Sequence, residues 1–307
     1  MTPSGRHARA NALLLVAALF WGMAFPAQRV AAANMGAFSY TSIRFAMGAL
    51  LLAGVIAVLD RRRGLLPAQK RAATRAVVLP GVGVGLLLTL AVNLQQVGLV
   101  TTTASNAAFI TGLYLIWVPI LGVFGGKRLR WPIAVAVVLA VAGLYLIAVT
   151  GRFTLRPGDA LMLAAGLAFA VEILVIDRFA PRLDLIRFAC AQFASCAAFS
   201  GAFALWRDAA PFGGIGHTLW PLAYGGFVSV GIAYTLQTIA QRDAEPAPAS
   251  LIMSLEAVFG ALGGWWFLHE HLGVRGWAGA ALMMAGILVS HLGTASANSA
   301  ENQPDSR

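Results

Sequence analysis

The sequence predicts an all-α integral membrane protein of ten transmembrane helices, arranged as two inverted five-helix repeats. Three observations carry this expectation. The 307-residue chain is 59% apolar and only 11% charged, whereas a soluble domain is about a quarter charged. Its mean hydropathy is +0.77. Apolar segments near spanning length follow one another almost from end to end, and the first five match the last five in order.

The segments run approximately over 12–33, 38–59, 77–98, 103–124, 132–150, 158–179, 184–206, 218–240, 247–268 and 276–293. The first follows Arg6 and Arg9, as a secretory leader would, but its apolar run is longer than a signal-peptide core and is read as a retained span. Residues 1–11 form a short cytoplasmic segment before it. The loops are short, the longest being the basic stretch 60–76. The tail 294–307 is rich in Ala, Ser, Asn and charge and is expected to be disordered and cytoplasmic. With the N-terminus inside, 16 of the 22 Lys and Arg fall on the inner side and 6 on the outer. That imbalance puts both termini in the cytoplasm of a cell whose plasma membrane the chain crosses. It also accounts for the net charge of +10 without nucleic acid as a partner. Cys190 and Cys196 lie six residues apart in one span, at the wrong helical spacing for a disulfide.

The internal matches define units of 12–150 and 151–293. Leu14, Phe20, Arg29 and Ala31 match Leu163, Phe169, Arg178 and Ala180, and Arg44-Phe45-Ala46 matches Arg187-Phe188-Ala189. Gly81, Gln96, Ala104-Ser105 and Arg130 match Gly226, Gln241, Ala249-Ser250 and Arg275. Five spans is an odd number, so the second unit enters the membrane upside down. Inverted repeats are an architecture of secondary transporters, with the site at the repeat interface.

Several stretches carry a family likeness: Phe20-Trp21-Gly22, Arg44-Phe45, Gly143-Leu144-Tyr145-Leu146, and the run from Ala249-Ser250-Leu251 through Ser254-Leu255-Glu256 to Glu270 and Gly286. Taken in order over residues 12–293, they resemble the EamA-like ten-helix family of the drug/metabolite transporter superfamily. The resemblance implies a central cavity among helices one to four and six to nine, helices five and ten at the periphery, and export of small metabolites. One departure is Gly125-Gly126-Lys127, where the family usually ends its fourth helix in Gly-Glu; the second repeat keeps the acid as Glu270, after His269.

Polar groups at membrane depth are the candidates for a substrate pathway, because a dehydrated solute needs replacement hydrogen bonds. Glu256 sits mid-span, where a charge costs about 2.5–3.5 kcal/mol on insertion scales. It can bind a cationic group or carry a proton, or it can be satisfied by a neighbour on a packed helix face. Glu172 in the sixth span is the second buried acid, with Asp177 nearer the interface and solvated or paired with Arg178. Arg44 lies deep in the second span and can pair with an acid or bind a substrate carboxylate. Arg187 is read as a snorkelling interface anchor. The third span offers Asn93, Gln95 and Gln96, the fourth Asn106, Thr111 and Tyr114, the seventh Gln192, and the eighth Tyr234 and Gln237. Each can line the pathway or bind helices together. Trp21 walls a cavity or packs in the core, and Trp265 and Trp266 suit an interface belt.

These features favour a secondary active carrier, not an enzyme, that moves a small polar metabolite such as an amino acid by alternating access. Proton coupling is one energy source, since no Gly-x-x-x-x-Gly-Lys-Ser/Thr motif occurs. No cofactor or metal is expected; His269-Glu270-His271 points its side chains in different directions. The alternatives are a membrane-embedded transferase acting on a lipid-linked substrate and a noncatalytic scaffold. The first would want clustered reactive groups at a membrane face, and the second leaves the buried acids unexplained.

Overall fold

The computed structural model describes residues 3–102, 104–127, 129–149, 156–268 and 273–301, with side chains omitted at 3–4, 104–106, 148, 263–268 and 291–301. Among these residues every regular element is helical. Seven helical segments are long and apolar enough to cross a membrane: Gly5–Asn34, Ala37–Arg62, Pro67–Thr101, Ala107–Phe124, Pro157–Arg182, Leu185–Arg207 and Leu219–Ala240. Three shorter apolar helices, Trp131–Ile147, Pro246–Leu262 and Val274–Ser290, stand where the sequence expects the fifth, ninth and tenth spans.

In chain order the α-helices are α1 (Pro3–Asn34), α2 (Ala37–Arg62), α3 (Pro67–Thr101), α4 (Ala104–Gly112), α5 (Tyr114–Phe124), α6 (Trp131–Ala148) and α7 (Pro157–Phe179). They continue as α8 (Leu185–Arg207), α9 (Leu219–Ala223), α10 (Thr235–Ala240), α11 (Pro246–Met253), α12 (Glu256–Leu268) and α13 (Val274–Glu301). Starts are marked locally. Proline stands in the first turn of α3, α6, α7 and α11, where its missing N–H is no loss. The Asp184 carboxylate caps α8 by accepting the Arg187 N–H at 3.2 Å. In the link between α8 and α9, Gly214 takes φ 78° beside the Asn34 carbonyl, a place no Cβ would fit.

Three expected spans are not continuous α-helix. The fourth breaks at Leu113 between α4 and α5, and the ninth breaks at Ser254–Leu255 between α11 and α12. At both breaks the backbone tightens: Leu113 N–H reaches the Ile110 carbonyl at 3.2 Å, and Leu255 N–H the Ile252 carbonyl at 3.1 Å. The eighth winds as a π-helix over Tyr224–Tyr234, between α9 and α10. A wide coil of this kind inside a longer helix is often found at functional sites.

The helix contacts interchange when the halves are swapped. α2 packs on α8, and α6 packs mainly on α13, each with its own counterpart. α1 packs on the span containing the π-helix as α3 packs on α7. α1 also meets α11 and α12, as α7 meets α4 and α5. Individual bonds repeat the pattern. Gln96 Nε2 donates to the Gln28 carbonyl at 3.3 Å, and its match Gln241 donates to the Ile173 carbonyl at 3.2 Å. Gly143 of α6 and Gly279 of α13 bring their backbones so close that a Cβ on either would strike the other's carbonyl. α6 and α13 thus fasten to each other at the edge, and the polar side chains gather elsewhere.

Candidate functional site

A cavity lies between the two halves. Its lining comes from α1 (Trp21, Phe25, Gln28), α2 (Arg44), α3 (Gln95), α4 and α5 (Thr111, Tyr114) and α7 (Phe169, Glu172, Ile173). The π-helix adds Ser229 and Tyr234, α10 adds Gln237, α11 adds Met253 and α12 adds Glu256. Its water-accessible volume is about 40 Å³. At about 10–15 Å³ per water this is room for some three waters, so a metabolite enters only if the helices part.

The two breaks deliver the charge. Glu256 is the first residue of α12, and Tyr114 is the first of α5. The Tyr114 hydroxyl donates to Glu256 Oε1 at 3.5 Å. Close packing fixes the position: Gly22 of α1 lies against the Glu256 carbonyl and the Gly260 N–H, with the site of a Cβ only 2.7 Å from Gly260 N. On the other side Gly166 of α7 lies against the carbonyl of Thr111, the repeat counterpart of Glu256, with the site of a Cβ 3.0 Å from that oxygen.

Glu172 is 1% exposed. Its Oε2 accepts from Gln237 Nε2 at 3.5 Å, and its Oε1 has no partner. The free oxygens of Gln237 and Gln28 are unpaired as well. Arg44 is 2% exposed, with its guanidinium 5.3 Å from the Tyr40 ring centre and 5.1 Å from that of Phe45. Its Nε and Nη2 have no hydrogen-bond partner. Tyr234 stands among these charges, in electrostatic reach of Arg44, Glu172 and Glu256. Its ring meets Trp21 edge-on at 4.7 Å, and the Trp21 indole N–H donates to the Ser229 carbonyl at 3.2 Å. The site therefore presents one cation, two acids, several amides and an aromatic wall, with Arg44, Glu172, Glu256 and Tyr234 buried and Trp21 partly so.

Nine of the thirteen residues singled out from the sequence line this cavity: Trp21, Arg44, Gln95, Thr111, Tyr114, Glu172, Tyr234, Gln237 and Glu256. The others sit differently. Asn93 ties α3 to α8, donating to the Thr89 carbonyl and to Ser200 Oγ, both at 2.8 Å. Gln96 ties α3 to α1 through the Gln28 carbonyl. Gln192 is buried in α8 beside Gly85, away from the cavity lining. The Asn106 side chain lies outside the described residues, as do His269, Glu270 and His271 and the side chains of Trp265 and Trp266.

Two ionic expectations change. Arg187 does not snorkel; it is buried and ion-paired with Asp60, with Asp184 at 3.5 Å as a second partner. An acid 127 positions away supplies what the interface was expected to supply. Asp177 pairs with Lys127 at 2.7 Å and not with Arg178. At the opposite end Asp208 accepts from the Ser39 N–H and hydroxyl at 2.8 and 2.6 Å, and Thr102 donates to Asp159. Arg29 donates to the Leu99 and Thr102 carbonyls at 3.1 and 2.9 Å, closing the end of α3. Among the described residues no group of His, Cys, Asp and Glu could hold a metal ion.

Sequence reasoning passed over Phe25, Gln28, Phe169, Ile173, Ser229 and Met253. Helical spacing was a usable signal for some. Trp21, Phe25 and Gln28 stand at i, i+4 and i+7, and Phe169, Glu172 and Ile173 at i, i+3 and i+4, one stripe in each case. Ser229 had no such signal, because a π-coil does not follow the 3.6-residue period.

Comparison with known proteins gives a consistent result. Residues 8–149 and 156–292 each match the EamA-like transporter family. An uncharacterized transporter of Archaeoglobus fulgidus is 28% identical over 293 residues, covering 91% of this chain and 84% of its own length. A solved crystal structure superposes with a TM-score of 0.76 at 19% identity, over 93% of this chain and 97% of that one, and so shares the fold.

Proposed function

Since the chain belongs to the EamA-like transporter family, we propose that this membrane transporter is a secondary active carrier that exports a small polar metabolite, an amino acid or a related compound, by alternating access. The observation that carries the proposal is the cavity itself. Polar and aromatic side chains from both repeats converge on one buried space, with free hydrogen-bonding atoms on Arg44, Glu172, Gln237 and Gln28. A solute can satisfy those atoms; lipid cannot.

The proposed cycle uses the repeat symmetry. In the orientation read from the Lys and Arg count, with both termini cytoplasmic and ten spans crossing the plasma membrane, the Asp60–Arg187 and Lys127–Asp177 pairs lie at the inner end. Ser39–Asp208 and Thr102–Asp159 lie at the outer end. Opening one end while holding the other exposes the cavity to each side in turn, as inverted repeats allow. A buried carboxyl presented alternately to the two sides also carries a proton, and Glu256 and Glu172 are the groups for that role. The remaining polar candidates, Thr111, Tyr114, Tyr234 and Gln237, contact the solute.

The test is counterflow in proteoliposomes with a panel of labelled amino acids, organic cations and neutral metabolites. At least one small polar solute should exchange, and Glu256→Gln or Glu172→Gln should slow its net movement about tenfold, on the order of 1.4 kcal/mol. Folded protein that exchanges nothing in the panel would contradict the proposal.

A further inference from the structure

We infer that the solute carries a single carboxylate and that Arg44 is the group that receives it, an inference that rests on the carrier reading and adds the class of cargo. The argument begins from a contrast between two arginines. Arg44 and Arg187 occupy matching places in the two repeats, each followed by Phe and Ala. Both are buried. Arg187 has two carboxylates, Asp60 and Asp184. Arg44 has none: every ion pair among the described residues uses other side chains.

The missing partner is traceable. Asp60 lies near the end of α2 and reaches across to Arg187 near the start of α8. The symmetric reach, from the end of α8 back to the start of α2, is made by Asp208. Asp208 stops at Ser39, spending its Oδ2 on the Ser39 N–H and hydroxyl. The guanidinium of Arg44, five residues further along α2, is left with Nε and Nη2 unbonded and belongs to the cavity lining. The Tyr40 and Phe45 rings offset part of the cost of burying this charge. They accept no N–H in the guanidinium plane, where a carboxylate forms two parallel bonds.

The rest of the lining narrows the class. Arg44 is the one Lys or Arg among the lining residues, against Glu172 and Glu256. A phosphate dianion would face two acids with one cation to hold it, whereas a monocarboxylate is balanced by Arg44. The free Oε1 of Glu172 then suits an ammonium group on the same solute, and Trp21, Phe25, Phe169 and Tyr234 suit an apolar side chain. The cargo that fits all three is an amphoteric α-amino acid with an apolar side chain.

The test uses the full chain and two matched sets: leucine, leucinamide and 3-methylbutylamine; phenylalanine, phenylalaninamide and phenethylamine. Thermal stabilisation in nanodiscs and counterflow in proteoliposomes are read for each. The acid of each set should bind and exchange at least tenfold more effectively than its amide or amine. Arg44→Gln should abolish that preference, and Arg44→Lys should weaken the acid selectively while leaving the amide's response unchanged, which a folding defect would not do. Amides or amines acting as well as the acids, or Arg44→Gln keeping the acid preference, would overturn the inference. If only cations or neutral solutes of the wider panel move, this inference fails and the carrier reading stands; if nothing moves, both fail.

Discussion

The two sides of the cavity are built alike and charged differently. On one side α1 presses Gly22 against the backbone of Glu256; on the other α7 presses Gly166 against the backbone of Thr111. The same close crossing holds a carboxylate in one case and a hydroxyl in the other. Thr111 Oγ1 faces the sulfur of Met162 at 3.4 Å, whereas Glu256 meets Tyr114. The arginines show the reverse bias: the second half pairs its Arg187, and the first leaves Arg44 open. Repetition supplies the frame, and departures from repetition supply the chemistry.

The largest effect expected from breaking this comparison is at the paired arginine. Asp60→Ala leaves the buried Arg187 with only Asp184, at 3.5 Å, and should cost up to about 3–5 kcal/mol, read as a lower unfolding temperature in detergent. Asp208→Ala removes bonds to Ser39 but strands no buried charge, so it should cost clearly less. Next are the glycines. Gly22→Ala forces its Cβ to within 2.7 Å of the Gly260 nitrogen and the Phe259 Cβ, which fits an overpacking cost of about 1–3 kcal/mol. Gly166→Ala, whose nearest neighbour stands at 3.0 Å, should shift the same melting curve less. The smallest change is Lys127→Ala. Its bridge to Asp177 is half exposed on the lysine side and should contribute under about 1 kcal/mol, vanishing in high salt.

Hydropathy and the ordered internal matches made the layout legible, because burying a spanning helix and repeating it both leave marks on composition and spacing. The helix breaks were not legible. Leu113 and Ser254–Leu255 are ordinary residues in apolar runs, and what changes there is the hydrogen-bond register of the backbone. The π-helix escaped for the same reason, and Ser229 with it. Residue type picked out the deep acids and Arg44, since charge at that depth is costly wherever it points. It could not sort the amides. Asn93 and Gln237 are equally polar, yet one ties α3 to α8 while the other faces Glu172, a difference set by helix rotation. The Asp60–Arg187 pair was equally hidden, because it joins residues 127 positions apart.

The central claim is that the second half's carboxyl couples solute to protons while the symmetric frame does the moving. Its most direct test compares wild type, Glu256→Gln and Thr111→Val in proteoliposomes, measuring solute counterflow with and without an imposed pH gradient. The account predicts that Glu256→Gln keeps exchange but loses the response to the gradient, and that Thr111→Val, which trims a solute contact, exchanges more weakly but still follows the gradient. A Glu256→Gln carrier that still follows the pH gradient as wild type does would contradict it.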